Sequence, residues 1–256
     1  MDTLEIVPLP AFEDNYIWAL RRGDAVAVVD PGDAAPVLEF LDQSGARLCA
    51  VLVTHHHGDH AGGIADLLAR QPVPVYGPGR ENIDGVDHPV TDGDQVVLVE
   101  LGADFEVIEV PGHTRGHVAY YRRGVLFCGD TLFGAGCGRL FEGTPAQMQA
   151  SLARLAALPQ DTKIYCAHEY TASNLRFAAA VEPDSIPVQR RLERTAALRA
   201  EGRPSLPSTL ALELETNPFL RWDAPAVIAA AQARLGRMPV DGTEVFAAIR
   251  AWKNGV

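Results

Sequence analysis

The sequence predicts an α+β fold in which a strand-rich portion with interspersed helices precedes an all-helical portion. Up to His168, most apolar runs are short or alternate with polar residues, as in strands, and Gly, Pro and Asp separate them. After His168, apolar residues recur at helical spacing between Pro breaks. Strands interspersed with helices indicate sheets that are covered by helices.

The individual elements follow from the same periodicities. Strands are predicted at residues 4–7, 16–21, 25–29, 48–53, 73–76, 105–110, 118–122, 125–128 and 163–166. Helices are predicted after Asp33, after His60 and from Thr144, where Thr144 and Gln147 form a capping box around Pro145. The later helices are predicted at residues 171–181, 187–201, 209–215, 225–235 and 243–253. We therefore expect domains at residues 1–168 and 169–256.

Composition narrows the class of protein. The 256 residues are 47% hydrophobic and 21% charged, which is enough for a full buried core. A net charge of −11 disfavours a nucleic-acid partner, which needs a basic surface. The start lacks a signal-peptide pattern and no apolar run approaches about 18 residues, so we expect a cytoplasmic protein without membrane contact. The four cysteines lack disulfide spacing and are expected to be buried thiols.

The most informative segment is residues 54–60, Thr-His-His-His-Gly-Asp-His, which follows a predicted strand. His55 and His57 lie two residues apart and can bind one cation, whereas Asp59 and His60 are placed to reach a second. Imidazole and carboxylate ligands suit zinc, iron or manganese. A structural zinc site or a polyhistidine tag is disfavoured, because no Cys-x-x-Cys occurs and the run is internal and interrupted. The segment predicts a metal-dependent hydrolase.

Three further candidate ligands each follow a predicted strand. They are His113 in Pro-Gly-His-Thr, Asp130 in Gly-Asp-Thr and His168 in Ala-His-Glu. Alone, each signal is weak, because a single His is usually a hydrogen-bonded polar residue and Gly-Asp is usually a turn. Loops at strand ends are nevertheless where ligands distant in sequence can converge. Their joint occurrence with residues 54–60 makes the metal prediction specific.

With these motifs the first two-thirds of the chain resembles the metallo-β-lactamase fold superfamily. The resemblance implies a four-layered αββα sandwich, followed here by a small all-helical domain. It also implies two metal ions that share one bridging carboxylate, with these ligands: His55, His57 and His113 for one ion, Asp59, His60 and His168 for the other, and Asp130 between them. His56 would be a spacer and His88 a surface residue. His117 would either support a ligand or be a satisfied buried polar group, and the second interpretation is favoured.

Further motifs distinguish the family within the superfamily. Residues 11–18, 137–143, 168–171 with 174–175, and 246–253 are similar to glyoxalase II, the hydroxyacylglutathione hydrolases, so the resemblance covers essentially the whole chain. It implies hydrolysis of S-D-lactoylglutathione to glutathione and D-lactate, the second step of methylglyoxal detoxification. The attacking hydroxide would bridge two divalent ions, zinc being expected and iron or manganese the alternatives, with Asp59 and Asp130 as catalytic carboxylates. The alternatives are a lactonase, a β-lactamase or a glutathione persulfide dioxygenase. A nucleic-acid phosphodiesterase or a non-catalytic binding module is less consistent with the charge and the complete ligand set.

The expected partner is a small-molecule glutathione thioester, bound by a monomeric chain. The thioester carries two carboxylates, so the pocket needs fixed cations. The substrate-binding candidates are Arg139, Phe141, Tyr170, Arg250 and Lys253. Arg250 and Lys253 share one face of the last helix, although basic residues there can also merely complement the helix dipole, which contributes up to about 1 kcal/mol. The family commonly has Lys at position 139 and often Tyr at position 141, so Arg139 retains the charge and Phe141 lacks a hydroxyl.

Overall fold

The computed structural model describes residues 3–255, which form two compact units. The first unit comprises the chain up to Glu109 together with Arg115–Arg122 and Leu126–Gly129. The second comprises Val110–Thr114, Arg123–Val125 and the chain from Asp130 onward. Among these described residues, no helix is long and apolar enough to cross a membrane.

A six-stranded sheet in the first unit has its strands in sequence order. They are β1 (Glu5–Ala11), β2 (Asn15–Arg22), β3 (Ala25–Val29), β4 (Arg47–Leu52), β5 (Val75–Pro78) and β6 (His88–Val90). Strands β1 to β3 pair antiparallel, and β3 to β6 pair parallel. The carboxyl ends of β3 and β4 and the start of β2 therefore lie at one edge of the sheet, where loop residues can meet.

Three helices accompany this sheet: α1 (Ala34–Ser44), α2 (Gly58–Ala61) and α3 (Ile64–Arg70). Helix α1 begins at the N-cap Asp33, whose side chain accepts a hydrogen bond from the Ala35 amide at 2.9 Å. Apolar side chains of α1 and α3 pack with the sheet in one buried cluster that includes Val37, Leu67 and Val28. Burial of this apolar face stabilises the sheet. Polar side chains can then lie at the ends of its strands.

The first unit holds three more strands and most of a fourth: β7 (Gln95–Leu98), β8 (Ala103–Glu109), β9 (Val118–Arg122) and β10 (Val125–Gly129). Strand β8 pairs antiparallel with both β7 and β9, and β10 lies beside β9. The buried Tyr120 on β9 donates its hydroxyl hydrogen bond to the Val53 carbonyl at 2.8 Å. The Val118 amide also donates to the Thr54 carbonyl at 2.9 Å. These bonds fix β9 against the end of β4, where the histidine-rich segment begins.

The second unit is mainly helical. Its elements are β11 (Leu132–Phe133), β12 (Gly136–Cys137), α4 (Pro145–Ala156), β13 (Lys163–Cys166), α5 (Thr171–Val181), α6 (Ile186–Ala200), β14 (Ser208–Thr209), α7 (Leu210–Thr216), α8 (Pro225–Leu235) and α9 (Gly242–Asn254). Strands β11 and β12 form an antiparallel hairpin, and β13 pairs antiparallel with β14. Leu175 and Ala178 of α5 pack on Val188 of α6 and on Ala135 of the hairpin. This packing couples the hairpin to the helices.

Most predicted elements are confirmed, several of them with the predicted ends, including β3, β9, α5 and α8. The capping box at Thr144 is present, since Thr144 and Gln147 each bond to the other's backbone. The sequence did not predict strands β6, β7, β11, β12 and β14, because two to four residues are too few to show a period. All four cysteines are free thiols, as expected, and three of them are buried, whereas Cys49 is only partly buried.

Candidate metal centre

Asp30 anchors the start of the histidine-rich segment. It follows β3, and Thr54 follows the parallel neighbour β4, so the two residues lie side by side. Asp30 accepts hydrogen bonds from the Thr54 amide at 2.7 Å and from its hydroxyl at 2.9 Å. Asp30 is buried and has a φ of +56°, which is uncommon outside glycine but tolerated by Asp. Sequence analysis missed this residue, although a polar residue at the end of a buried parallel strand was a usable signal.

A hydrogen bond assigns the protonated nitrogen of the candidate ligand His55. The Thr54 hydroxyl donates to Asp30, so it accepts from Nδ1 of His55, which lies 3.1 Å away. Nε2 of His55 is therefore left with its lone pair, the state that binds a metal. His60 Nδ1 lies within ion-pair distance of the Asp30 carboxylate, at 3.1 Å.

The side chains of residues 55–60 converge as a metal site requires. His55 Nε2 lies 3.1 Å from His57 Nδ1. Two nitrogens bound to one tetrahedral ion at 2.0–2.1 Å are about 3.3 Å apart, so this pair fits a single cation. His60 Nε2 lies 3.6 Å from the Asp59 carboxylate, which is consistent with a shared second ion.

Asp59 is held by residues from other strand ends. The buried Asn15, at the start of β2, donates its side-chain amide to the Asp59 carboxylate at 3.1 Å. Gly32 allows the loops to approach closely, because a Cβ there would lie 2.0 Å from the Asp59 carbonyl oxygen. Asn15 and Gly32 thereby fix the direction of a carboxylate that is 41% exposed.

The remaining histidines of the first unit have defined surroundings. His56 is more than a spacer, because the buried Glu81 carboxylate accepts from its amide at 2.6 Å and contacts its Nδ1 at 2.8 Å. Glu81 also accepts from the Gly116 amide at 3.0 Å, so it ties the two loops together. His117 is fully buried and its ring stacks on His55 at 4.6 Å, which shows that it packs against a candidate ligand. His88 is exposed, as expected.

The second unit brings together the other three candidate ligands. One Asp130 oxygen lies 3.4 Å from His113 Nε2, and the other lies 3.4 Å from His168 Nε2. His113 donates its Nδ1–H to the Arg139 carbonyl at 2.9 Å, which leaves Nε2 free for a metal. Gly138 permits this approach, because a Cβ there would lie 1.9 Å from the Asp130 carbonyl oxygen. A carboxylate with its two oxygens directed at different histidines is suited to bridging two ions.

A buried polar network holds the β11–β12 hairpin beside these ligands. The Ala135 amide donates to Glu213 at 2.8 Å, and Asn217 donates to the Gly136 carbonyl at 2.9 Å. Arg191 pairs with the other oxygen of Glu213. Sequence analysis did not find Glu213, Asn217 or Arg191, because no local pattern relates residues that are this far apart in sequence.

All the predicted substrate-binding residues line a cavity of about 990 Å³ in the second unit. Its lining includes His113, Asp130, Arg139, Phe141, Tyr170, Arg250 and Lys253. The ring of Tyr170 stacks on His168 at 4.7 Å, and the largely exposed Phe141 meets His113 edge-on at 5.2 Å. The candidate ligands and the predicted binding residues of this unit therefore face one volume, which is large enough for a small-molecule substrate.

Two cations that line the cavity have features that favour binding of an anion. Arg250 is buried, and its guanidinium donates to the Cys137 carbonyl at 2.8 Å and to Asn254 at 3.1 Å. Its Nε is also buried and has no hydrogen-bond partner among residues 3–255. Burial, and next the neighbouring Arg250 charge, lower the pKa of Lys253 to about 8. The Arg250 Nε–H, which lacks a hydrogen-bond partner, and the Lys253 ammonium, which is destabilised by burial, would both be stabilised by a bound carboxylate.

Residues 12–168 match the model of the metallo-β-lactamase superfamily, and the chain belongs to that superfamily. Residues 169–256 match a second model, the hydroxyacylglutathione hydrolase C-terminus. A relative from Dechloromonas aromatica named hydroxyacylglutathione hydrolase is 56% identical, over 98% of this chain and 99% of its own. Within the superfamily, the chain therefore belongs to the hydroxyacylglutathione hydrolase family.

Solved structures show the same fold. ETHE1 from Myxococcus xanthus superposes with a TM-score of 0.65 at 21% identity, covering 98% of this chain and 97% of that chain. TTHA1623, solved in a di-iron-bound form, has a TM-score of 0.59 at 26% identity, over 84% of this chain and all of that chain. The α+β metallo-β-lactamase fold with a helical C-terminal portion is thereby confirmed. This fold and its His and Asp donors fit a binuclear metal centre.

Proposed function

We propose that this chain is a metal-dependent thioester hydrolase that cleaves S-D-lactoylglutathione to glutathione and D-lactate. Membership of the hydroxyacylglutathione hydrolase family supports the activity. The cavity is the observation that supports this substrate, because Arg250 and Lys253 line the same volume as the candidate ligands His113 and Asp130. A glutathione thioester needs both parts, a hydrolytic centre for the acyl group and fixed cations for a distant carboxylate.

We further propose how the ligands divide between two ions. One ion would be held by His55, His57 and His113, and the other by Asp59, His60 and His168, with Asp130 bridging. The histidine tautomers, and the spacing of His55 Nε2 from His57 Nδ1, support this division. Two bound divalent ions, with zinc favoured and iron the alternative found in TTHA1623, would supply Lewis acidity and lower the pKa of attacking water.

Residues of the chain would position the attacking water and the substrate. Asp59, fixed by Asn15 and partly exposed, can accept a hydrogen bond from attacking water and so orient it toward the thioester carbonyl. Arg250 and Lys253 would bind the glycyl carboxylate, while Arg139, Phe141 and Tyr170 line the same cavity. A glutathione thiol has a pKa near about 8.5, so its thiolate leaves without a strong general acid.

An assay before and after metal removal tests the function. The metal-loaded protein is expected to hydrolyse S-D-lactoylglutathione, and chelation followed by dialysis is expected to abolish activity. Zinc, iron or manganese should restore it, whereas magnesium should not, because magnesium prefers oxygen ligands. Hydrolysis is measured as loss of thioester absorbance, with metal content determined on the same samples. Full activity after metal loss, or cleavage of lactones or β-lactams but not the thioester, would contradict the proposal.

Lys253 predicts a specific pH dependence. Its pKa of about 8 lies below the ordinary value of 10.5, so the free enzyme loses this cation as the pH rises through about 8. The KM for S-D-lactoylglutathione is therefore expected to rise between pH 7 and 9.5, by roughly tenfold, while kcat changes little over the same range. In Lys253→Arg the side chain stays protonated, so the rise should disappear. The same rise of KM in that variant would assign the titration to another group.

We propose that the catalytic domain comprises residues 1–168 and the helical substrate-binding domain residues 169–256. The two family models meet at this boundary, which supports it. We also propose a cytoplasmic monomer. Its four free thiols suit a reducing compartment.

A further inference from the structure

Two arginines at the rim of the cavity have no role in the function proposed above. Arg176 on α5 and Arg234 on α8 both line the cavity, and both are exposed. Together with the three predicted cations they give the cavity five positive side chains, against Asp130 as the one carboxylate among its described lining residues. In a chain with a net charge of −11, this concentration of positive charge points to a ligand with more than one anionic group.

The positive charge of Arg234 at the rim remains available to a ligand, because its neighbour is an aromatic ring. The Arg234 guanidinium lies 3.6 Å from the centroid of the Trp252 ring, and Trp252 meets Phe177 edge-on at 5.1 Å. Lys253 lies 5.1 Å from the centroid of Phe177. An aromatic face attracts a cation without neutralising it, as a carboxylate would. Arg176 is among the cations that lower the pKa of Lys253, so it lies within electrostatic range of the same cluster.

Burial divides these cations into two groups. Arg250 is 3% exposed and Lys253 is partly buried, whereas Arg176 and Arg234 lie at the exposed rim. Glutathione also has two unlike ends. Its glycyl end is a lone carboxylate, which leaves water only when buried cations replace its hydration. Its γ-glutamyl end carries a carboxylate and an ammonium group on the same carbon, and it can remain hydrated at an exposed rim.

We propose that Arg176 and Arg234 bind the α-carboxylate of the γ-glutamyl residue and thereby select the complete tripeptide over thioesters of shorter thiols. This inference rests on the proposed function, in which Arg250 and Lys253 bind the glycyl carboxylate. Arg234 is the restrained member of the pair, because its guanidinium lies over the Trp252 ring. The rim arginines are specificity determinants rather than catalytic residues.

The test pairs one variant with two substrates. The substrates are S-D-lactoylglutathione and the same thioester of 4-aminobutyryl-cysteinylglycine, which lacks only the γ-glutamyl α-carboxylate. In the metal-loaded wild type, the analogue is expected to have a KM about tenfold higher, with a similar kcat. The double variant Arg176→Gln, Arg234→Gln should raise the KM for S-D-lactoylglutathione by about tenfold and leave that of the analogue unchanged, so the two values converge.

A matched control removes two arginines that do not line the cavity. Arg190 and Arg194 are exposed on α6 and are absent from the cavity lining, so the double variant Arg190→Gln, Arg194→Gln should change neither KM, although it alters the net charge equally. Equal losses on both substrates, or no loss on either, would overturn the inference. If the wild type cleaves neither thioester, the proposed function fails. In that case calorimetry measures the binding of glutathione and of 4-aminobutyryl-cysteinylglycine to the wild type and to the double variant. The inference is supported if the wild type binds glutathione more tightly and the two affinities become equal in the double variant, and it is wrong if they do not.

Discussion

Replacing Asp130 with Asn is expected to reduce the bound metal from two ions to one or fewer and to lower kcat by about 10³-fold or more. One carboxylate oxygen of Asp130 faces His113 and the other faces His168, at 3.4 Å in each case. An amide keeps the shape but offers one weak oxygen ligand and no charge. The variant therefore removes a ligand that would serve both ions at once.

Metal analysis and kinetics on the same preparation check this expectation. Asp184→Asn is the matched control, because Asp184 is exposed and lies outside the cavity lining, yet it loses the same charge. The control should retain two ions and the wild-type kcat. If Asp130→Asn retained two tightly bound ions and hydrolysed the substrate within a few-fold of wild type, the bridging role would be wrong.

Replacing Arg250 with Gln is expected to raise the KM for S-D-lactoylglutathione by about 30-fold or more, with kcat within about threefold of wild type. Losing one partner of a buried charged contact typically costs about 2–5 kcal/mol of binding. A remote carboxylate is held equally in the ground state and the transition state, so the loss falls on KM. Arg250→Lys should give a smaller rise, because it keeps the charge but loses the planar fork.

The structural contacts of Arg250 need a separate control. Its guanidinium also donates to the Cys137 carbonyl in the hairpin and to Asn254 on the same helix. Asn254→Ala removes only the second of these contacts and should leave KM within about twofold. Thermal unfolding of each variant measures any loss of stability. An unchanged KM in Arg250→Gln, or a fall in kcat as large as that in kcat/KM, would assign Arg250 to holding the hairpin.

Much of the candidate metal centre could be predicted without coordinates. Residues 54–60 place four donors within one short segment, so their convergence depends mainly on local geometry. His113, Asp130 and His168 could be predicted because each directly follows an apolar strand pattern. The helices of the second unit were likewise predictable, since their periodicity extends over 7 to 15 residues.

The surroundings of these donors could not be predicted in the same way. His56 shows the limit, because the sequence indicated a spacer whereas its bonds to Glu81 depend on a loop 25 residues away. The short strands and the hairpin network of Glu213 and Asn217 have no periodic signal. Their positions depend on pairings between distant segments, whose energies a local pattern does not contain.

The sequence by itself determined the ligand types, the metal-dependent chemistry and the two cations of the last helix, because each is a matter of residue identity and short spacing. Only the tertiary structure decided that Asp30 and Asn15 lie against the candidate ligands. It alone also assigned Arg176 and Arg234 to the cavity rim. The physical reason is strand order and helix packing. Parallel pairing of β3 and β4 brings Asp30 next to Thr54, which lies 24 residues later in the sequence. The Trp252 ring of α9 contacts Arg234 of α8, and the sequence around Arg234 shows only that it is a charged residue on a helix.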